Sequence, residues 1–171
     1  MFDNNGMLPA GMHRYALDIF EQDFIGAFPS SQTRKELFYL LGELLVEVQI
    51  LLVPYEIWID GSFATKKVNP NDIDIVMFLN YSDLQNEAVI TGLTALKQKY
   101  IGNLDIYIAL AVNEESRKAL SDTDFGKCTN KRNYWRGQFG FDREDNPKGI
   151  IVLTEESLRD FTVGGQNNVT N

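Results

Sequence analysis

The apolar positions of the chain follow two periods that alternate along it. Between residues 33 and 52, Leu37, Leu40, Leu41, Leu44, Leu45 and Val48 recur every three or four residues, which draws one apolar stripe along a helix. Ser30 and Ser31 precede it as candidate caps, and Pro54 closes it. The period then shortens: 55–60 is rich in β-branched and aromatic residues and reads as a strand. Segments 73–79, 103–109 and 149–153 read the same way, while 17–25, 82–100 and 130–139 read as helices. Strands alternating with helices predict an α+β (mixed α/β) domain built on a small mixed β-sheet. One domain is expected over 1–162. Residues 1–11, a mixture of Asn, Gly and Pro, are expected as a flexible arm and 163–171 as a flexible tail.

Composition narrows the class of protein more than its function. With 171 residues, 44% apolar and 23% charged, the chain can bury a core without a metal or disulfide staple. Its one cysteine, Cys128, excludes an intrachain disulfide and a Cys-rich zinc module. No apolar run approaches the ~20 residues of a membrane-spanning helix. Residues 1–5 carry neither the basic patch nor the apolar core of a secretory signal, so a cytoplasmic protein without membrane contact is expected. The net charge of −8 disfavours long nucleic acid as a partner, because phosphate backbones need clustered positive charge. A small anion that brings its own cation remains compatible.

Chemistry concentrates in one stretch. Asp72 and Asp74 stand two apart at the start of a strand, so both carboxylates share one face while Ile73 and Ile75 point to the other, packed one. Two like charges this close repel, and a bound divalent cation removes the penalty. Oxygen ligands with no His or Cys beside them suit Mg²⁺ or Mn²⁺ rather than zinc. Asp105, alternating with Leu104 and Ile106 on a later strand, completes a three-carboxylate set if that strand is a neighbour. Such sets hold metals that stabilise the attacking and leaving oxygens of phosphoryl transfer. Gly61-Ser62 directly follows a strand, where glycine lets backbone N–H groups approach a phosphate and the serine hydroxyl can donate to it. Lys66 and Lys67 either add positive charge to that phosphate site or are solvated loop residues.

With these residues the chain resembles the nucleotidyltransferase superfamily that includes DNA polymerase beta. The family pattern is Gly-Ser, a gap, acid-hydrophobic-acid-hydrophobic, and a third acid on a later strand. Here it reads Gly61-Ser62, nine residues, Asp72-Ile73-Asp74-Ile75 and then Asp105. Among its branches the chain is most similar to minimal bacterial and phage proteins of the antitoxin type. It also resembles bacterial proteins with a Trp-Ile-Asp-Gly-Ser-Phe core, an opening Leu8-Pro9-x-Gly11-x-His13 and a closing Pro147-Lys148-Gly149-Ile150. The resemblance implies a minimal nucleotidyltransferase fold, helices on one sheet face and the acidic site on the other. It implies Mg²⁺ (or Mn²⁺) held by Asp72, Asp74 and Asp105 as catalytic carboxylates. Gly61, Ser62 and Lys66 would bind a nucleoside triphosphate, foremost ATP, and the acceptor would be a small molecule or a protein. An inactive nucleotide-binding regulator or antitoxin-like protein is the alternative. Two positions depart from the pattern: Asp60 replaces a hydrophobic residue before the glycine, and Asn71 stands where many relatives carry Ser. No helical domain follows to hold the base or the acceptor.

Four further features have plainer expectations. His13 is expected as a structural hydrogen-bonding residue of the N-terminal arm. Arg132 and Arg136, one helical turn apart, either grip a triphosphate or belong to a solvated face with Trp135 buried. Lys148 is a turn lysine or a phosphate contact. The Leu-rich stripe is core or the seam of a homodimer.

Overall fold

The computed structural model describes residues 1–164, with side chains as far as Arg159. In chain order the elements are β1 (Gly11–Arg14), α1 (Leu17–Glu21) continuing into a π-type turn (Gln22–Gly26), α2 (Arg34–Leu51), β2 (Glu56–Asp60), a 3₁₀ turn (Gly61–Ala64), β3 (Ile73–Leu79), α3 (Tyr81–Leu84), α4 (Glu87–Lys99), β4 (Leu104–Leu110), α5 (Glu114–Ala119), α6 (Asp122–Phe139), β5 (Gly149–Thr154) and α7 (Glu155–Gly164). The class is α+β, with one five-stranded mixed sheet in the order β1-β5-β2-β3-β4. β2 runs antiparallel to both β3 and β5, while β3 and β4 are parallel. A parallel pair cannot be joined by a tight turn, and α3 with α4 supplies the crossover between β3 and β4.

Strand alternation divides the sheet into two faces. Ile57, Ile59, Ile73, Ile75 and Ile106 face a core closed by Leu37, Leu41, Leu44, Leu45 and Val48 of α2, so the leucine stripe is core. The opposite face bears Trp58, Val76 and Phe78, and there Trp135 and Phe139 of α6 cover part of it. The acidic face is therefore open only beyond the edge of α6. Among the described residues no helix is long and apolar enough to cross a membrane.

Several boundaries differ from the sequence expectation for local reasons. The segment 82–100 divides into α3 and α4 because two caps act in succession. Asn80 and Asp83 form a reciprocal capping box, and Asn86 then accepts from the Ala88 amide at 3.0 Å to start a new helix. α6 begins at Asp122 rather than near 130, capped by Ser121, whose hydroxyl accepts from the Asp124 amide at 3.1 Å. Its first half is polar and shows no apolar stripe to read. The expected flexible arm, 1–11, is instead built into the fold. Leu8 is buried, the edge of Phe2 meets Phe24 and Phe28, and the Gly149 amide donates to the Leu8 carbonyl at 2.9 Å. Of the expected tail at 163–171, Val163 and Gly164 complete α7, and 165–171 lie outside the described residues.

One buried cation ties α2 to the loop between β2 and β3. Arg34 is fully buried, yet all its N–H groups find backbone carbonyls. Nε donates to Lys67, Nη1 to Phe24 and Phe63, and Nη2 to Thr65 and Lys67, at 2.7–3.2 Å. The guanidinium also lies over the rings of Phe28 and Phe63, at 3.9 and 4.9 Å. Burial lowers its pKa to about 10, which leaves it charged at neutral pH. Arg34→Met keeps the apolar stem and strands these carbonyls in the interior. It is expected to cost about 3–5 kcal/mol, read as a lower urea midpoint at unchanged slope; a loss under about 1 kcal/mol would contradict this role.

Candidate functional site

Sheet register sets a row of carboxylates. Asp60 on β2 pairs with Asp74 on β3, and Asp74 pairs with Asp105 on β4, so the three stand abreast on the same face of neighbouring strands, which lie ~4.8 Å apart. Asp72, two residues before Asp74, joins them in lining a cavity of about 980 Å³. Gly61 and Ser62 line it as well. Every predicted carboxylate and the Gly-Ser turn are thus brought to one place.

Gly61 is required twice over at this turn. Its φ of +75° is a conformation that residues with a Cβ rarely adopt, and a Cβ there would overlap the Asp74 carboxylate Oδ2. The turn packs its backbone directly against the central acid of the row. Gly61–Ala64 is a single 3₁₀ turn, too short to carry the dipole of a long helix.

Crowding leaves an electrostatic signature. Burial pushes the Asp74 carboxyl up, and the charges of Asp72 and Asp105 push it further, against the opposing pull of Lys148 and Arg143. Asp60 is raised to about 6, chiefly by burial, with Lys148 acting against that shift. Lys148 Nζ donates to Asp60 Oδ2 at 2.7 Å, with both side chains nearly inaccessible, 11% and 4% exposed. Among the described residues, the buried Asp60 Oδ1 has no hydrogen-bond partner. The sequence places the negative charge of Asp60 beside the Gly-Ser turn, and the alternation Glu56-x-Trp58-x-Asp60 is the sign that it shares the acidic face; its pairing with Lys148 has no local signal.

Other expected residues lie elsewhere. Lys66 does not line the cavity: it is exposed and turned toward the N-terminal arm, its amide bonded to the Gly6 carbonyl and its Nζ 3.4 Å from the Asp3 carbonyl. Lys67, its neighbour, lines the cavity instead. Arg132 lies outside this cavity and off any solvated face: it is largely buried, pairs with Glu56 and lies over Trp58 and Phe78. Trp135 is buried. His13 donates through Nε2 to the Pro9 carbonyl at 2.7 Å, within the N-terminal segment.

The donor set fits a hard divalent cation in its chemistry. It offers carboxylate oxygens with no thiolate or imidazole, and their mutual repulsion is the kind a cation relieves. Among the described residues, however, no three His, Cys, Asp or Glu side chains stand close enough to enclose an ion as they are placed. Protein ligands would need completion, and Mg²⁺ usually takes one or two carboxylates together with substrate phosphates and water.

The sequence profile of a family described as "Family of unknown function (DUF6932)" matches residues 1–154, and the chain belongs to that family. No curated protein and no solved structure matches it.

The Asp60–Lys148 pair makes stability depend on pH in a defined direction. The folded pKa of Asp60, about 6, lies above the unfolded ~3.9, so its contribution to stability declines as pH rises from about 4 to 6. Lys148→Met removes the charge that opposes the upward shift. The variant is expected to lose about 3 kcal/mol relative to the parent at pH 8, and under about 1 kcal/mol at pH 5, where the carboxyl is protonated. Paired urea titrations at the two pH values test this; an equal deficit at both would contradict it.

Proposed function

We propose that this member of the family is a divalent-cation-dependent nucleotidyltransferase, which moves a nucleoside monophosphate group from a nucleoside triphosphate to a hydroxyl of a small molecule or protein and releases pyrophosphate. The observation that carries the reading is the register that sets Asp74 and Asp105 side by side on β3 and β4, in one cavity with Asp72 and the Gly61-Ser62 turn. Phosphoryl transfer asks a protein mainly for positioning and charge neutralisation, and these residues offer both.

Each residue then has a task. When bound, Mg²⁺ or Mn²⁺ would neutralise phosphate charge, and Asp72, Asp74 and Asp105 are the side chains that would hold it. Gly61 lets the backbone approach a phosphate closely, and the Ser62 hydroxyl donates a hydrogen bond to it. An Asp105 carboxylate oxygen accepts the proton of the acceptor hydroxyl as the new bond forms from the hydroxyl oxygen to the α-phosphorus. The bond from the α-phosphorus to the bridging oxygen breaks, and pyrophosphate leaves. The aromatic flank of the cavity, Tyr107, Tyr134 and Trp135, offers ring faces for a base or an acceptor.

The test supplies each α-labelled nucleoside triphosphate with Mg²⁺ or Mn²⁺ and a cell lysate, and asks what acquires label. Asp74→Asn is expected to lower transfer by a factor of about 10³ or more, as loss of a central charge-stabilising group does, with an unchanged circular dichroism spectrum. Undiminished transfer by this variant would refute the assignment. Nucleotide binding by the parent without any pyrophosphate release would favour the regulator instead.

A further inference from the structure

The cavity carries an electrostatic problem that the proposed reaction must solve. Seven acidic residues line it against three basic ones, Lys67, Arg143 and Lys148. A polyphosphate approaching these walls is repelled unless a cation is already fixed among them. Lys67 and Arg143 are exposed, so each must give up side-chain freedom to hold a ligand. Lys148 differs from both, because its side chain is mostly buried, yet lines the cavity, and its ammonium is anchored at 2.7 Å on Asp60 Oδ2.

The backbone of Lys148 is held from both sides. Its amide donates to the Gly140 carbonyl at 2.8 Å, closing the 140–148 loop, and Phe141 and Pro147 form a β-bridge across that loop. Inside the loop, Asp142 accepts from the amides of Glu144 and Asn146 and from the Asn146 side chain, at 2.8–3.0 Å. On the other side, the Gly149 amide donates to the Leu8 carbonyl, and a Cβ at Gly149 would overlap the Pro9 carbonyl and the His13 ring. The N-terminal segment therefore packs against the one residue that follows Lys148. An ammonium has three N–H donors, and among the described residues Asp60 is the acceptor found for Lys148, which lines the cavity with donors left for a ligand.

We propose that Lys148 is the resident phosphate contact of this cavity, and that Asp60 is its positioning residue, holding the ammonium beside Asp74 in the carboxylate row. This rests on reading the cavity as a nucleoside triphosphate site, and deepens that reading by naming the polyphosphate chain as the part Lys148 engages. The proposal gives the buried pair a role that stability alone does not supply, since an isolated buried ion pair roughly breaks even against apolar packing. It also accounts for a site in which Lys66 is turned away.

Binding of Mg-ATP and of inorganic tripolyphosphate with Mg²⁺ is measured by calorimetry, for the parent chain and for Asp60→Leu/Lys148→Met, which replaces the pair by apolar side chains together. Binding of both probes by the parent, weakened roughly ten- to a hundredfold in the double variant at unchanged near-ultraviolet circular dichroism, is the expected result. Equal affinity in the double variant overturns the role of Lys148 and leaves the nucleotide site standing. Binding of Mg-ATP but not tripolyphosphate by the parent also overturns it, because the contact is then not to the phosphate chain. Binding of neither by the parent overturns the site and this proposal together. If the double variant does not fold, Asp60→Asn/Lys148→Gln, which keeps the shape of both side chains, gives the same comparison with the same outcomes.

Discussion

Repulsion among carboxylates on adjacent strands is the constraint around which this molecule is arranged. A sheet whose register sets Asp60, Asp74 and Asp105 abreast concentrates negative charge on a partly buried surface, where separation by water is reduced and each ionisation raises the cost of the next. Two features keep that arrangement in a folded protein. Lys148 is inserted beside the most buried acid of the row, and the others line an open cavity. The repulsion that survives shows in Asp74, whose carboxyl is held above its usual range by burial and by Asp72 and Asp105.

The elements around the row hold it in place from opposite ends of the chain. Arg34 gathers the carbonyls of Phe63, Thr65 and Lys67, and so fixes the path of the chain just after the Gly61-Ser62 turn. β1 pairs in parallel with β5, and the Leu8 carbonyl holds the Gly149 amide, which sets where Lys148 enters the cavity. α6 closes the other edge with Trp135 and Phe139. Together they turn an exposed sheet face into a cavity with an acidic floor, one buried lysine and an aromatic flank.

Much of this was legible in the sequence because it rests on short-range periodicity. The alternation in Asp72-Ile-Asp74-Ile and Leu104-Asp105-Ile announced both strands and the face their acids share, and the stripe of α2 announced the core helix. What escaped notice depends on long-range pairing. Nothing local to Asp60 states that Lys148, 88 residues later, will neutralise it, nor that β5 lies between β1 and β2. The N-terminal segment reads as loose from its Asn, Gly and Pro content, yet it is held by a bridge from Met7 to Thr65 and by burial of Leu8. Lys66 and Lys67 cannot be told apart by composition; only the path of the loop decides which of them meets the cavity.

The central claim is that this carboxylate row is a cation-dependent nucleotide site, and the spectrum of bound Mn²⁺ addresses it most directly. Electron paramagnetic resonance is recorded on the protein with Mn²⁺, with and without a non-hydrolysable nucleoside triphosphate, and on Asp72→Asn/Asp105→Asn under the same conditions. The account predicts a protein-bound Mn²⁺ signal that strengthens when the nucleotide is added and is lost in the double variant. Indistinguishable signals from the parent and the double variant would contradict it.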